Sequence, residues 1–183
     1  FKLAGASYTA AGFWGLPEFD TVGYDQAAAA ELAEKVVPGS LVRHALVINP
    51  GIGHLALWAS RRLGPQVLTA ASRDFLSLAA TGANLALQAH SRLEYRPMSS
   101  LELGCLESAS LDFLACFPDV VPDYDWIGPL WEDSARLLKR GALLIVSCQP
   151  TELTRLSKRR PQGWKLRGEK RKKSYAAAAW ERC

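Results

Sequence analysis

The residues best placed by type and spacing to do chemistry are Asn49, Gly51 and Gly53, within Ala45-Leu-Val-Ile-Asn-Pro-Gly-Ile-Gly-His54. An apolar strand that runs into a Gly-x-Gly turn and then a helix is how a doubly wound α/β sheet presents a nucleotide or nucleoside cofactor at its carboxyl edge. Asn49 and Pro50 stand where such turns usually carry an acid and another glycine. Pro50 also removes a backbone N–H from a turn that must hug its ligand. The stretch therefore reads as a cofactor loop or as a plain strand-to-helix turn inherited with the fold. His54, at the helix start, is a ligand-facing group or a surface or N-terminal packing residue. His44 and His90 flank strands with no carboxylate or Cys partner at useful spacing, so neither is a credible base.

Two further groups carry chemistry. Asp119, Asp123 and Asp125 fall in a Pro-rich loop where a catalytic acid or metal site is expected, although the same spacing suits capping of the helix at Pro129. Phe117, Tyr124, Trp126 and Trp131 read as a stacking pocket for a flipped base or as satellite core. The basic residues concentrate in Lys158, Arg159, Arg160, Lys165, Arg167, Lys170, Arg171, Lys172 and Lys173, with Glu169 as the one acid between them. That run has a net charge of +8 in a chain of net +4, so the remainder is acidic. Interleaved with Trp164 and Tyr175, it reads as a phosphate-tracking surface or as a solvated hairpin face.

The elements that must position these residues alternate. Gln26 to Val37 reads as a helix stopped by Pro38-Gly39, Leu46 to Ile48 as a first strand, and Leu55 to Leu63 as the next helix. Gln66 to Ala71 is a second strand, and Ser72 caps a helix to about Ala89. Arg92 to Tyr95 and Leu111 to Phe117 are the third and fourth strands. A helix from Pro129 ends near Arg140 with Gly141 at its C′ position, and Ala142 to Ser147 is a fifth strand. Thr151 caps a short basic helix through Arg160, and Trp164 to Arg171 pairs with Tyr175 to Trp180 as a terminal hairpin. The sum is a single-domain α/β sandwich, parallel except at one edge. Its 183 residues are 49% hydrophobic, enough for one sizeable core. The longest apolar runs are too short to span a bilayer. The start at Phe1 shows no signal peptide, and fits a fragment or a processed or trimmed chain. Cys105, Cys116, Cys148 and Cys183 stand alone, with the first three in or beside apolar segments. That suits small packed hydrophobes in a reducing cytosol, with no zinc site and no disulfide framework.

This order of elements resembles the class I S-adenosylmethionine-dependent methyltransferases, which have seven strands with an antiparallel closing hairpin. More narrowly the chain resembles the methyltransferase small domain group, which includes the bacterial small-subunit ribosomal RNA guanine-N2 methyltransferases. Leu16-Pro17-Glu18-Phe19 and Gly23-Tyr24-Asp25 are similar to that group's Leu-Pro-Gly-x-Phe and Leu-Asp segments. Leu130 to Val146 is similar to its helix followed by Gly-Gly-x-Leu, and Gly163 to Tyr175 to its basic closing hairpin.

The resemblance implies an N-terminal arm over residues 1–24 packed on a Rossmann-like αβα domain over 25–183. It also implies that Asn49, Gly51 and Gly53 with Ser72 and Met98 border the S-adenosylmethionine site, and that Cys116, Phe117 and Pro118 occupy the target-base motif. The departures fall at these positions. Asn49 replaces the acid of the glycine loop, and Ala71-Ser72 replaces the ribose acid, with Asp74 arriving late. Pro97-Met98 replaces the adenine acid, and Cys116-Phe117-Pro118-Asp119 replaces Asn-Pro-Pro-aromatic. Two functions follow. One is RNA methylation, with ribosomal RNA as substrate in the cytoplasm. The other is a degenerate copy that binds RNA and supports a tandem or partner catalytic domain. A nicotinamide oxidoreductase is disfavoured by the missing acid after the second strand and by the closing hairpin.

Overall fold

In the computed structural model, residues 1–37, 42–88 and 93–183 are described. The strands β1 (Lys2–Leu3) and β2 (Ala6–Ser7) pair as a short antiparallel ladder. They are followed by α1 (Tyr24–Val36), β3 (His44–Ile48), α2 (His54–Arg62), β4 (Val67–Ser72) and α3 (Phe75–Ala86). Next come β5 (Glu94–Ser99), a 3-10 turn over Ser100–Cys105, β6 (Leu111–Cys116), α4 (Ile127–Leu137) and β7 (Leu138–Cys148). The chain closes with α5 (Pro150–Lys158), β8 (Trp164–Lys172) and β9 (Tyr175–Arg182). Seven strands form one sheet in the order β5-β4-β3-β6-β7-β9-β8. Only β9 runs against the rest, pairing antiparallel with β7 and β8. This is the mostly parallel αβα sandwich with an antiparallel closing hairpin that the sequence predicts.

Strand periodicity sorts the side chains into two cores. Ala45 and Val47 of β3, Phe113 and Ala115 of β6, and Ala177 and Ala179 of β9 face the layer of α1 and α2. Their neighbours Leu46 and Ile48, Leu114 and Cys116, and Ala178 and Trp180 face the layer of α4 and α5. Near-continuous apolar strands are required because both faces are covered. The α1 side is built from small residues: Ala27 to Ala30 and Ala33 meet Ala177 and Ala179, so helix and sheet approach closely. Gly168 belongs to the same contact, since a Cβ there would lie 3.3 Å from Leu32.

The strand order turns back between β3 and β6, because β4 and β5 extend one way and β6 and β7 the other. Doubly wound sheets open a crevice at the carboxyl edge of such a point. The turn after β3 and the loop after β6 therefore face each other across it.

Several boundaries differ from expectation for local reasons. Asp74, not Ser72, caps α3, accepting from Leu76 N at 2.9 Å, while Ser72 Oγ accepts from Asp74 N at 3.1 Å. Gln149 precedes α5 and Pro150 occupies its first turn, which displaces Thr151 from the cap. Gly141 is not a C′ residue. Leu137 and Leu138 are both fully buried, so β7 begins directly after α4, and Gly141 (φ +78°) lies in the irregularity where β7 shifts register against β6. The third strand extends to Ser99, since Pro97 is tolerated on the edge of the sheet. Cys105 is exposed rather than packed, whereas Cys116 and Cys148 are buried. Pro38-Gly39, Ala89, His90 and Arg92 lie outside the described residues. Among the described residues, no helix is long and apolar enough to cross a membrane.

Candidate cofactor cleft

The turn between β3 and α2 takes three left-handed residues, Asn49 (φ +55°), Gly51 (φ +60°) and Gly53 (φ +97°). Asn is among the few side-chain-bearing residues that tolerate this region. Its side chain also joins three strand ends. Asn49 Nδ2 donates to the Phe117 carbonyl at 2.9 Å and to Asp119 Oδ2 at 3.2 Å, and its Oδ1 accepts from Ser72 Oγ at 3.2 Å. A carboxylate could not make this set, since it has no donor.

Both neighbouring helices hold the turn. Gln26 of α1 accepts from Leu55 N at 3.0 Å, which satisfies a free N–H of α2, and donates to the Pro50 carbonyl at 3.4 Å. Ser77 of α3 donates to the Gly51 carbonyl at 2.9 Å. A Cβ on Gly53 would lie 3.0 Å from Thr81, so this glycine serves helix packing.

In front of the turn is a cleft of about 610 Å³. The N-terminal segment contributes Leu16, Pro17 and Glu18, α1 contributes Asp25, and the ends of β4 and β6 contribute Ser72, Asp74 and Phe117 to Asp119. Ser147, Gln149 and Tyr175 close the far side. Behind Asn49 and Asp119 is a second hollow of about 290 Å³, walled by Ile48, Leu101, Leu103, Cys116 and Leu130. Glu18, Asp25, Asp74 and Asp119 give the larger cleft four carboxyl groups, and none of its described lining residues is Lys, Arg or His.

Two of these acids are set by burial. Burial, reinforced by Asp25, pushes the Glu18 carboxyl up to about 8, against one hydrogen bond from Gly23 N at 3.1 Å. Its Oε2 is buried without a partner among the described residues and would lie 3.1 Å from a Cβ on Gly51. Burial also raises Asp25. Beneath them His54 is fully buried, its Nδ1 3.0 Å from the Tyr8 hydroxyl, and desolvation lowers it to about 4. It is a packing residue rather than a ligand-facing one.

These shifts set opposite pH slopes. Glu18 binds its proton more tightly in the folded chain than unfolded, so stability falls as pH rises from about 4.5 to about 8. His54 binds its proton more weakly when folded, so stability rises between about 4 and 6.5. Glu18→Gln is expected to stabilise the protein relative to wild type by an amount that grows from pH 5 to pH 8. Denaturant melts at stepped pH check this, and a difference that stays constant across the range refutes it.

No protein-family model and no curated protein sequence matches the chain. Solved structures do. The 16S rRNA N2 methyltransferase RsmC of Thermus thermophilus, in complex with AdoMet and guanosine, superposes with a TM-score of 0.76 at 17% identity over 100% of this chain and 49% of its own. TrmN from Thermus thermophilus gives 0.68 at 17% identity over 86% of this chain and 49% of its own. The Escherichia coli protein yhhF, described as a candidate methyltransferase, gives 0.68 at 19% identity over 91% and 90%. The chain has the class I methyltransferase fold. It spans about half the length of RsmC and TrmN.

Within this methyltransferase fold the expected residues divide. Asn49, Gly51, Ser72, Phe117 and Pro118 line the larger cleft, and Cys116 lines the hollow behind it. Gly53 faces α3, and Met98 borders a separate groove with Phe75 and Tyr95. Asp125 is structural: Arg159 grips it with bonds of 2.7 and 2.8 Å and holds it down to about 2, and it also accepts from Ile127 N at 3.2 Å. Among the described residues, no group of three or more His, Cys, Asp or Glu could hold a metal ion. The aromatic set divides: Phe117 lines the cleft, Tyr124 and Trp126 border the hollow, and Trp131 belongs to the core. Trp131 packs on Trp164 and Trp180 at centroid distances of 5.1 and 5.3 Å, inside the second core.

The basic run does not form one surface. On the edge strand β8, Lys170 (at 2.9 Å) and Lys172 both pair with Glu31 of α1, and Arg167 pairs with Glu181 at 3.2 Å. Lys158, Arg160, Lys165, Arg171 and Lys173 have no ion-pair partner among the described residues. Register places Trp164 opposite Arg182 and Lys172 opposite Tyr175, so the Arg171–Lys173 end of β8 reaches the edge of the sheet that holds the cleft, while Arg159 meets the loop after β6 beside Val120, Val121 and Tyr124.

Glu18, with Asp25 and Gln26, is among the cleft residues that sequence reasoning missed. It stands at φ +68°, where the resembling group's Leu-Pro-Gly carries glycine, and that mismatch is the signal the sequence offers.

Proposed function

We propose that this chain is a methyltransferase domain that uses S-adenosylmethionine to methylate an amine of RNA, of the ribosomal guanine-N2 type, in the cytoplasm. The observation that carries the reading is the cleft at the switch point of a methyltransferase fold, with four carboxyl groups and no described cation in its lining. That cofactor bears a sulfonium and an ammonium group, and an acidic cleft opened by a left-handed glycine fits both.

Four groups of residues divide the work. Asn49 and Gly51 allow close approach of the methionine part, with Asp25 and Glu18 receiving its ammonium, whose charge would ionise the Glu18 carboxyl that burial otherwise keeps protonated. Asp74, which has one oxygen committed to Leu76 N, and Ser72 receive the ribose hydroxyls. The apolar hollow of Ile48, Leu101 and Leu103 takes the adenine. Phe117, Pro118 and Asp119 face the target.

When bound, the cofactor supplies an electrophilic methyl group. Asp119, held by Asn49, accepts an N–H of the incoming amine, which orients the nitrogen lone pair, and passes the proton shed by that nitrogen to water. Rate comes chiefly from positioning. Because the chain spans 49% of RsmC, a tandem or partner domain that shares the RNA belongs to the proposal.

Titration calorimetry with S-adenosylmethionine and S-adenosylhomocysteine tests the reading. Binding in the micromolar range is expected. Absence of heat and of any shift in Tm at millimolar ligand refutes it, and leaves the cleft to a binding-module role.

A further inference from the structure

Of the six tryptophans, five are buried: Trp58 and Trp180 fully, Trp126, Trp131 and Trp164 to 7% exposure or less. Trp14 is 88% exposed. A bare indole exposes a large apolar surface, and this one has company. Trp14 and Phe19 pair with ring centroids 5.3 Å apart and a 42° tilt, and Phe19 is itself 48% exposed. The chain between them, Leu16 to Glu18, lines the cleft. Gly15 lies against Leu76, with only 3.6 Å from its Cβ position to Leu76 Cδ2, which brings the exposed start of α3 onto the same lip. Phe75, the neighbour of Leu76, turns to the groove of Tyr95 and Met98, and Arg73, exposed with no ion-pair partner among the described residues, borders the hollow behind Asn49. Across the cleft stand Val120, Val121 and Tyr124, each about half exposed.

We infer that the Trp14–Phe19 lip, with Leu76 against it, is a stacking platform that delivers unpaired bases of a single-stranded RNA segment to the cleft. The inference rests on the RNA reading above and names the surface that recognises the strand. Aromatic faces interleaved with sparse cations match a single strand, whose bases present open π faces and whose phosphates need only occasional charges. Arg73, at the hollow behind Asn49, and Arg171 and Lys173, next to the cleft residue Tyr175, serve the strand's phosphates. A duplex presents phosphate ridges and stacked bases, and cannot use the lip. The acids inside repel phosphate while accepting N–H groups, so a base enters the cleft and its backbone stays on the rim. The densest basic segment is thus not the main recognition surface.

Because Trp14 is the one exposed indole, tryptophan emission reads this site directly. The full chain is titrated with a labelled oligoribonucleotide of about eight nucleotides and with the blunt duplex of the same sequence. Label anisotropy reports binding, and acrylamide quenching reports Trp14. The expected result is that the single strand shields Trp14 from acrylamide and the duplex does not. Trp14→Ala is expected to weaken strand binding about tenfold or more. Trp14→Phe keeps most of the affinity and loses the signal. An unchanged circular dichroism spectrum and Tm show that the fold survives, as the exposure of the residue predicts.

Strand binding that leaves Trp14 accessible, equal shielding by duplex, or no strand binding at all overturns the inference. A lip that instead docks a protein partner gives the last of these outcomes. If S-adenosylmethionine binds and Trp14 is never shielded, the lip inference alone falls. If Trp14 is shielded and the cofactor does not bind, the lip stands and the cofactor reading falls.

Discussion

Replacing Trp180 with alanine is expected to lower stability by about 3–5 kcal/mol, the range for truncating a fully buried aromatic. Trp180 is 0% exposed and lies in β9 between Leu144 of β7 and Leu166 of β8. Its ring meets Trp131 edge-on, with centroids 5.3 Å apart and planes at 77°. Such aromatic pairs contribute about 0.5–1.5 kcal/mol beyond the area they bury. Collapse into the vacated space is blocked on one side by the sheet itself. On the other side, Trp131 is locked in turn against Trp164 at 5.1 Å. For a chain of this size the loss corresponds to a fall in Tm of roughly 10 °C. Trp14→Ala is the matched control, since an exposed side chain is expected to change stability by about 0.5 kcal/mol or less. Scanning calorimetry separates the two cases, and comparable losses in both variants refute the assignment of Trp180 to the core.

Asn49→Asp is expected to damage the site rather than repair it. Family resemblance suggests that an acid here restores the glycine loop. The geometry argues otherwise, because Asn49 Nδ2 is a donor to the Phe117 carbonyl and, at 3.2 Å, to Asp119. Aspartate removes both bonds and sets two carboxylates against each other. The expected loss is about 2 kcal/mol at neutral pH, typical of a bond to a charged group replaced by an unpaired acceptor. Affinity for S-adenosylhomocysteine is expected to fall about tenfold as the loop after β6 loses its anchor.

The facing carboxylates bind protons more tightly in the folded chain than in the unfolded one. The penalty is therefore absent below the unfolded carboxylate range and grows as pH rises through the raised values. Melts at pH 4 and pH 7 with calorimetry at neutral pH check this. A variant as stable as wild type that binds the ligand more tightly sinks it.

The central strands were legible because each is covered on both faces and must be apolar almost throughout. Leu46 to Ile48, Leu111 to Cys116 and Ala142 to Ser147 announce themselves, and the turn at Gly51 and Gly53 follows from needing positive φ. Caps and joints were less legible, since they depend on which of two adjacent polar residues the neighbouring element leaves free. Asp74 caps α3 because Ser72 is drawn to Asn49, and β7 starts early because Leu138 is buried.

By itself, the sequence determined the αβα sandwich, the place of the glycine turn after β3, and which residues stand where the family it resembles is expected to carry acids. Periodicity and turn chemistry are local, so one chain suffices to read them. Only the tertiary structure decided that acids return to the cleft from elsewhere. Glu18 arrives from the N-terminal segment, Asp25 from α1, Asp74 from the cap of α3 and Asp119 from the loop after β6. It also decided that the basic run is split by the alternation of β8 and partly neutralised by Glu31, while the exposed aromatics gather at Trp14 and Phe19. Charge and aromaticity are properties of a surface. Which residues share a surface is fixed by how the elements pack, not by their order along the chain.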